Sequence, residues 1–316
     1  MCVRTPMSRM SNGLTGPCPD TGFRTTGRVL AAMMHQHTHR FHQLDVFTSQ
    51  ALRGNPLAVV HAADPLSDET LAAFARWTNL SETTFLLSPS DPAADYRVRI
   101  FTPGGELPFA GHPTLGSCQA WLWAGGQPQQ PDVVLQECGV GLVRIRRDRS
   151  RLAFAAPPLR RSGPLEVDYR DALCAALGLD PHDVVADHWV DNGPNWCALM
   201  LPSAAQVLSL QPDMAALKAL QAKLGVIGPQ PAGHETQFEV RAFVPALGIG
   251  EDPVTGSLNA GLSQWLIGAG LAPHHYLVSQ GTMLGRQGRV HVDQVGDTIW
   301  IGGEVARCVE GQVVLP

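Results

Sequence analysis

Three side chains able to move protons stand in short, well-spaced motifs. Glu82 sits in Asn79-Leu-Ser-Glu-Thr-Thr-Phe85, His112 directly follows Gly111, and Asp252 lies four residues before Gly256. Histidine titrates near neutral pH and relays or orients protons, and a carboxylate near it can fix its tautomer or share a proton. Glu82 lies among Leu, Thr and Phe, between a helix and a strand expected at 83–87. Burial there would lift its pKa toward the working range of a general acid/base. On spacing alone the plainer reading of Glu82 is a surface-loop glutamate or a helix cap. The glycines supply a second kind of chemistry. A glycine just before a helix lets the backbone bend so that free N–H groups point outward, and the helix dipole adds partial positive charge. Gly111 and Gly256 each open an apolar helix, so each offers an anion cradle, and two facing cradles could hold one carboxylate between them. Singly, either glycine is accounted for by helix capping. His112 beside one and Asp252 and Ser257 beside the other favour a binding site.

These motifs belong to an internal repeat. Val98-Arg-Ile-Phe101-Thr-Pro103 is followed by Glu106-Leu-Pro108-Phe-Ala-Gly111, and Val240-Arg-Ala-Phe243-Val-Pro245 by Glu251-Asp-Pro253-Val-Thr-Gly256. In each copy a VRxFxP strand runs into a loop, and ExPxxG opens a helix carrying Trp121-Leu122 or Trp265-Leu266. A further echo follows each helix, Gln136-Glu-Cys-Gly139 and Gln280-Gly281 with Gly285-Arg286. The copies are too far apart for a solenoid and suit two similar halves. Strands are expected at 41–47, 57–60, 83–87, 142–147 and 305–314, and helices at 67–76, 113–123, 169–177, 213–224 and 257–267, with Asp213 as an N-cap. Strands mixed with a few helices point to an α+β (mixed α/β) protein of two halves.

Bulk properties exclude several classes. The chain has 316 residues, 44% hydrophobic and 16% charged, with net charge −5 and pI near 6.2. That balance argues against nucleic acid or an anionic membrane as the main partner. Apolar runs fall short of the roughly 18 to 20 residues of a membrane span. Seven cysteines, an odd count with no CxxC, read as a reduced, cytoplasmic set. Residues 1–38 lack hydrophobic periodicity and do not fit a secretory signal, so they are expected to form a disordered extension, with the first 33 or so disordered or a misassigned start. The run His35, His37, His39 reads as a solvated tail and not a metal site, because no carboxylate or cysteine accompanies it.

Taken together, Gly54-Asn-Pro-Leu-Ala-Val59, the Glu82 and His112 motifs, Glu251-Asp-Pro-Val-Thr-Gly-Ser257 and the Gln280–Arg286 segment resemble the PhzF-like family of phenazine biosynthesis, over about residues 41–316. The resemblance implies a diaminopimelate epimerase-like fold: two pseudo-symmetric halves, each a curled sheet around a central helix, with the active site in the cleft between them. It implies halves at 39–155 plus 299–316 and at 156–298. It makes Glu82 the catalytic glutamate that takes a proton from one carbon and helps return it to another, assisted by His112 and Asp252. Gly111, Gly256 and Ser257 match the groups that bind substrate. In the namesake enzyme that substrate is a dihydro-hydroxyanthranilate. No metal and no organic cofactor is implied, and a homodimer is usual for the relatives. Two departures matter. Epimerases of this fold use paired cysteines, and here those positions hold His112 and Ser257, while Cys118 and Cys138 read as core residues. Leu258-Asn259 follows Ser257 where many relatives carry smaller residues. The expectation is an isomerase that shifts a proton on a small carboxylated, cyclic metabolite. A two-base amino-acid epimerase and a catalytically silent binder are the alternatives.

Overall fold

The computed structural model describes residues 36–316. The expected extension, with His35 of the histidine run, lies outside the described residues up to position 35; its end does not fit that expectation, because strand pairing takes up His37 and His39, and His39 is buried with Nδ1 donating to the His61 carbonyl at 3.0 Å. The repeat reappears as a repeat of strand polarity. In one half, His37–Val46 pairs antiparallel with Asn55–Val60, which runs parallel to Thr83–Leu87. Tyr96–Thr102 follows antiparallel, then Val133–Cys138 parallel, then Gly141–Asp148 and Arg151–Ala155 antiparallel. The other half takes the same steps through Ala186–Asp191, Cys197–Met200, Leu224–Pro229, Phe238–Val244, His275–Gln280, Gly288–Val295 and Thr298–Gly303. In each half the VRxF strand also carries a short hairpin partner, Gly105–Leu107 or Ile249–Asp252.

Each half is closed at its outer edge by one further strand, and one strand joins the two. Arg161–Gly163 caps the outer edge of the second half, and Val305–Leu315 does the same for the first by pairing along His37–Val46. Thr298–Gly303 is bonded both to Gly288–Val295 and to Arg151–Ala155. Residues 299–303, assigned from sequence to the first half, are therefore shared by both. The opening strand starts at His37, four residues before the periodic pattern, because Val305–Leu315 is long enough to pair as far as His37 with Leu315.

One central helix lies against the sheet in each half. Gly111–Trp123 and Gly256–Gly268 are apolar on nearly every side, which suits helices surrounded by sheet. Each carries a glycine one and a half turns in, where the sheet comes close: a Cβ on Gly116 would stand 2.5 Å from Leu57, and one on Gly261 would stand 2.2 Å from the Val190 carbonyl. The helix expected over 213–224 is shorter. Asp213 caps it as expected, but it ends at Ala219. Gln221 turns the backbone into the left-handed region (φ 53°), and Leu224 begins a buried strand. Cys118 is buried in the core, as expected, and Cys138 is half-buried at a strand end. Among the described residues no helix is long and apolar enough to cross a membrane.

Candidate active site

The repeated Arg and Glu make the same clamp twice. Arg99 Nε and Nη2 donate to Glu106 Oε1 and Oε2 at 2.8 and 2.7 Å, and Arg241 grips Glu251 the same way at 3.0 and 2.8 Å. Each guanidinium also lies over the next inward phenylalanine, Phe101 or Phe243. The bidentate fork fixes the hairpin strand against the VRxF strand. In the second half that strand ends on Asp252, so the clamp aims Asp252; the first-half counterpart is Leu107. The second clamp is buried, with side chains 5% and 7% exposed, and its third arm donates to the Leu210 carbonyl.

The starts of the two central helices meet. A Cβ on Gly256 would stand 3.3 Å from the Gly111 Cα and 3.3 Å from the His112 nitrogen. Neither helix has a side-chain N-cap, whereas Ser67, Ser203 and Asp213 cap three of the others. Their first amides are therefore left for another acceptor, as a carboxylate cradle requires. Buried glutamines hold both helix starts. Gln136 Nε2 donates to Thr114 Oγ1 at 3.1 Å, and Gln280 Oε1 accepts from Thr255 N and Asn259 Nδ2 at 3.0 and 2.9 Å.

Glu82, His112 and Asp252 converge at this junction. Glu82 Oε2 lies 3.5 Å from His112 Nε2, with side chains 16% and 6% exposed, and both atoms are buried without any hydrogen-bond partner. Burial pushes the Glu82 carboxyl up to about 7, against a smaller opposing effect of the Ser81 hydroxyl. Burial likewise pushes His112 down to about 4, opposed by Asp252 and by the Pro56 backbone, so the ring is neutral at physiological pH. Asp252 is raised to about 6, first by burial and then by the charge of Glu82. Its Oδ1 accepts from Asn55 at 3.0 Å and its Oδ2 from the Thr255 hydroxyl. Ser257 lies on the second helix, half-buried, and its Oγ accepts from Trp196 Nε1 at 2.9 Å. Indole can only donate, so the Ser257 proton is free to point elsewhere.

The structure thus brings together all six residues singled out from sequence. It adds Asn55, Gln280, Trp196 and Asn192, whose side chain donates to the Ser257 carbonyl at 2.8 Å. Asn55 and Gln280 lay inside recognised motifs without a role. Trp196 and Asn192 belong to the Asp191–Trp196 turn, which carries no motif signal. The two surface hollows lined by Ser90 and Glu137 and by Arg146 and Asp293 do not include these residues.

Chemically, the arrangement offers an uncommitted acid beside a neutral imidazole, at the junction of two cradles for anions. Known proteins share this architecture. The family model of PhzC-PhzF, phenazine biosynthesis-like protein, matches residues 44–311. Antisense-enhancing sequence 1 of Schizosaccharomyces pombe is 36% identical over 291 residues, covering 87% of this chain and 98% of that protein. Trans-2,3-dihydro-3-hydroxyanthranilate isomerase of Pseudomonas aeruginosa is 34% identical over 286 residues, covering 88% of this chain and all of its own length. A solved structure of a predicted epimerase from Pseudomonas aeruginosa superposes with a TM-score of 0.69 at 28% identity, covering 87% and 99% of the two chains.

Proposed function

The chain belongs to the PhzC-PhzF family of phenazine biosynthesis-like proteins, and from that premise we propose that it is an isomerase shifting a proton within a small carboxylated, cyclic metabolite. The observation that carries the reading is the Glu82–His112 pair: two proton-bearing atoms, buried, 3.5 Å apart and bonded to nothing else. A carboxyl held near 7 is ionised often enough to take a proton from carbon and protonated often enough to return one. Neutral His112 faces it and steadies whichever form is present. The first amides of the two central helices, with the Ser257 hydroxyl, hold the substrate carboxylate across the junction. Relatives named as isomerases support this reaction class.

The two-base epimerase reading is weaker. Its second base would have to be His112 or Asp252; His112 stands in contact with Glu82 itself, and both Asp252 oxygens already accept hydrogen bonds, from Asn55 and Thr255, while Glu82 Oε2 accepts none. The positions that would carry paired thiols hold His112 and Ser257. A silent binder would have no use for an acid raised to about 7.

The test is solvent-deuterium incorporation into trans-2,3-dihydro-3-hydroxyanthranilate, the compound named for the Pseudomonas relative, and into other small cyclic carboxylates. The native chain exchanges a carbon-bound hydrogen, and Glu82→Gln loses about 10²–10⁴-fold in rate. Equal exchange by both proteins refutes the assignment of Glu82.

A further inference from the structure

Asn55 is fully buried at the first position of strand Asn55–Val60, and it is bonded across to the second half. The orientation of its amide is fixed by what it meets. Nδ2 lies 3.0 Å from Asp252 Oδ1 and 2.8 Å from the Val254 carbonyl, an ionised carboxylate oxygen and a carbonyl oxygen that only accept. The same nitrogen lies 3.4 Å from His112 Nδ1. Asn55 Oδ1 is buried without a partner, so this arrangement leaves the amide incompletely satisfied.

Nδ2 has two protons and three acceptors. With Asp252 ionised, the two oxygens at shorter range take both protons. His112 Nδ1, left without a donor, then carries the ring proton itself, and a bare Nε2 faces Glu82. Asp252 Oδ2 is already occupied by the Thr255 hydroxyl, so a proton arriving on Asp252 settles on Oδ1, the oxygen facing Asn55. That displaces one Asn55 proton toward His112 Nδ1. The ring proton then resides on Nε2 and is presented to Glu82. We propose that Asn55 is a positioning residue that couples the protonation of Asp252 to the tautomer of His112, and so sets which way the His112–Glu82 contact is polarised. The charged or titratable groups facing this network are Glu82, His112 and Asp252 themselves, with Thr255 and Ser81 as the adjoining hydroxyls. Burial holds His112 neutral down to about pH 4, so its tautomer can be followed while Asp252 titrates.

The proposal rests on the acid/base reading of the site but is tested without turnover. The full chain is labelled with 15N-histidine, and the two ring nitrogens of His112 are followed by NMR from pH 5 to pH 8, with His112→Gln identifying the signals. In the native chain, and in Glu82→Gln, which removes the carboxyl that titrates at about 7 against Nε2, the protonated nitrogen changes from Nε2 to Nδ1 as Asp252 ionises. In Asn55→Leu, and in Asn55→Ser if the leucine variant does not fold, the tautomer stays constant over that range. A native tautomer that is constant, or a change that survives in the folded Asn55 variant, overturns the proposal. Full exchange by Glu82→Gln would remove the role of Glu82 and leave this result standing, so the two readings fail separately.

Discussion

Gly111 and Gly256 face each other so closely that a Cβ on Gly256 would stand 3.3 Å from the Gly111 Cα. The same added atom would meet the His112 nitrogen at 3.3 Å, and both are backbone. A side chain at either position therefore displaces the contact between the halves.

Gly256→Ala is expected to move the helix start that carries His112 and to lower deuterium exchange at least tenfold while the chain still melts cooperatively. Gly111→Ala meets Phe154 instead, with its ring tip 2.6 Å from the new Cβ, and costs about 1–3 kcal/mol as an overpacked core. Adding Phe154→Leu recovers part of that loss, read from denaturant midpoints in a double-mutant cycle.

The two clamps are expected to differ in energy despite their matching geometry. Arg241→Met leaves Glu251 buried without its partner and costs about 3–5 kcal/mol. Arg99→Met leaves Glu106, which is 42% exposed, free to reach water, and costs about 1 kcal/mol or less. Urea unfolding of the two variants measures the difference.

Glu82 is expected to lower stability in order to serve the site. Its carboxyl titrates at about 7 in the folded chain against 4.5 in the unfolded, so the folded state holds the proton more tightly. Its favourable contribution is complete below about pH 4.5 and lost as pH rises through 7. Glu82→Gln is therefore expected to match the native melting temperature near pH 4.5. At pH 8 it should be more stable by up to roughly 3 kcal/mol.

Histidines give the opposite slope. His42 Nδ1 and His61 Nε2 lie 2.8 Å apart in the core, and His61 is lowered to about 4, chiefly by burial and then by His42 and Arg40. A base whose folded pKa falls below 6.5 stabilises above that pH, and the contribution is lost as pH falls toward 4. His61→Gln is expected to flatten the loss of melting temperature between pH 6.5 and 4.

Sequence revealed the scaffold better than the site. The duplicated VRxF, Glu and Gly positions were legible because each answers a local demand, a strand, a clamp partner or a helix start, that leaves its mark within a few residues. The clamp itself was hidden, since the pairing of Arg241 with Glu251 depends on hairpin register and the connecting loop differs in length between copies. Glu82 looked ordinary because its raised pKa comes from burial by distant segments. Asn55 reaches Asp252 across 197 positions and Trp196 reaches Ser257 across 61, and nothing local marks either contact. The overlong helix at 213–224 came from leucines at 217, 220 and 224 that keep a helical rhythm through the turn at Gln221, with no glycine or proline to break it.

The pairing of His37–Val46 with Val305–Leu315 has a consequence for how the chain is made. Thr298–Gly303 and Val305–Leu315 are neighbours in sequence and leave the ribosome together, so the first half waits for the last strand to cover His37–Val46. On a ribosome the part translated first thus stays unfinished until the last strands emerge. Until then His37–Val46 keeps an open hydrogen-bonding edge, the kind of surface on which nascent chains pair with one another.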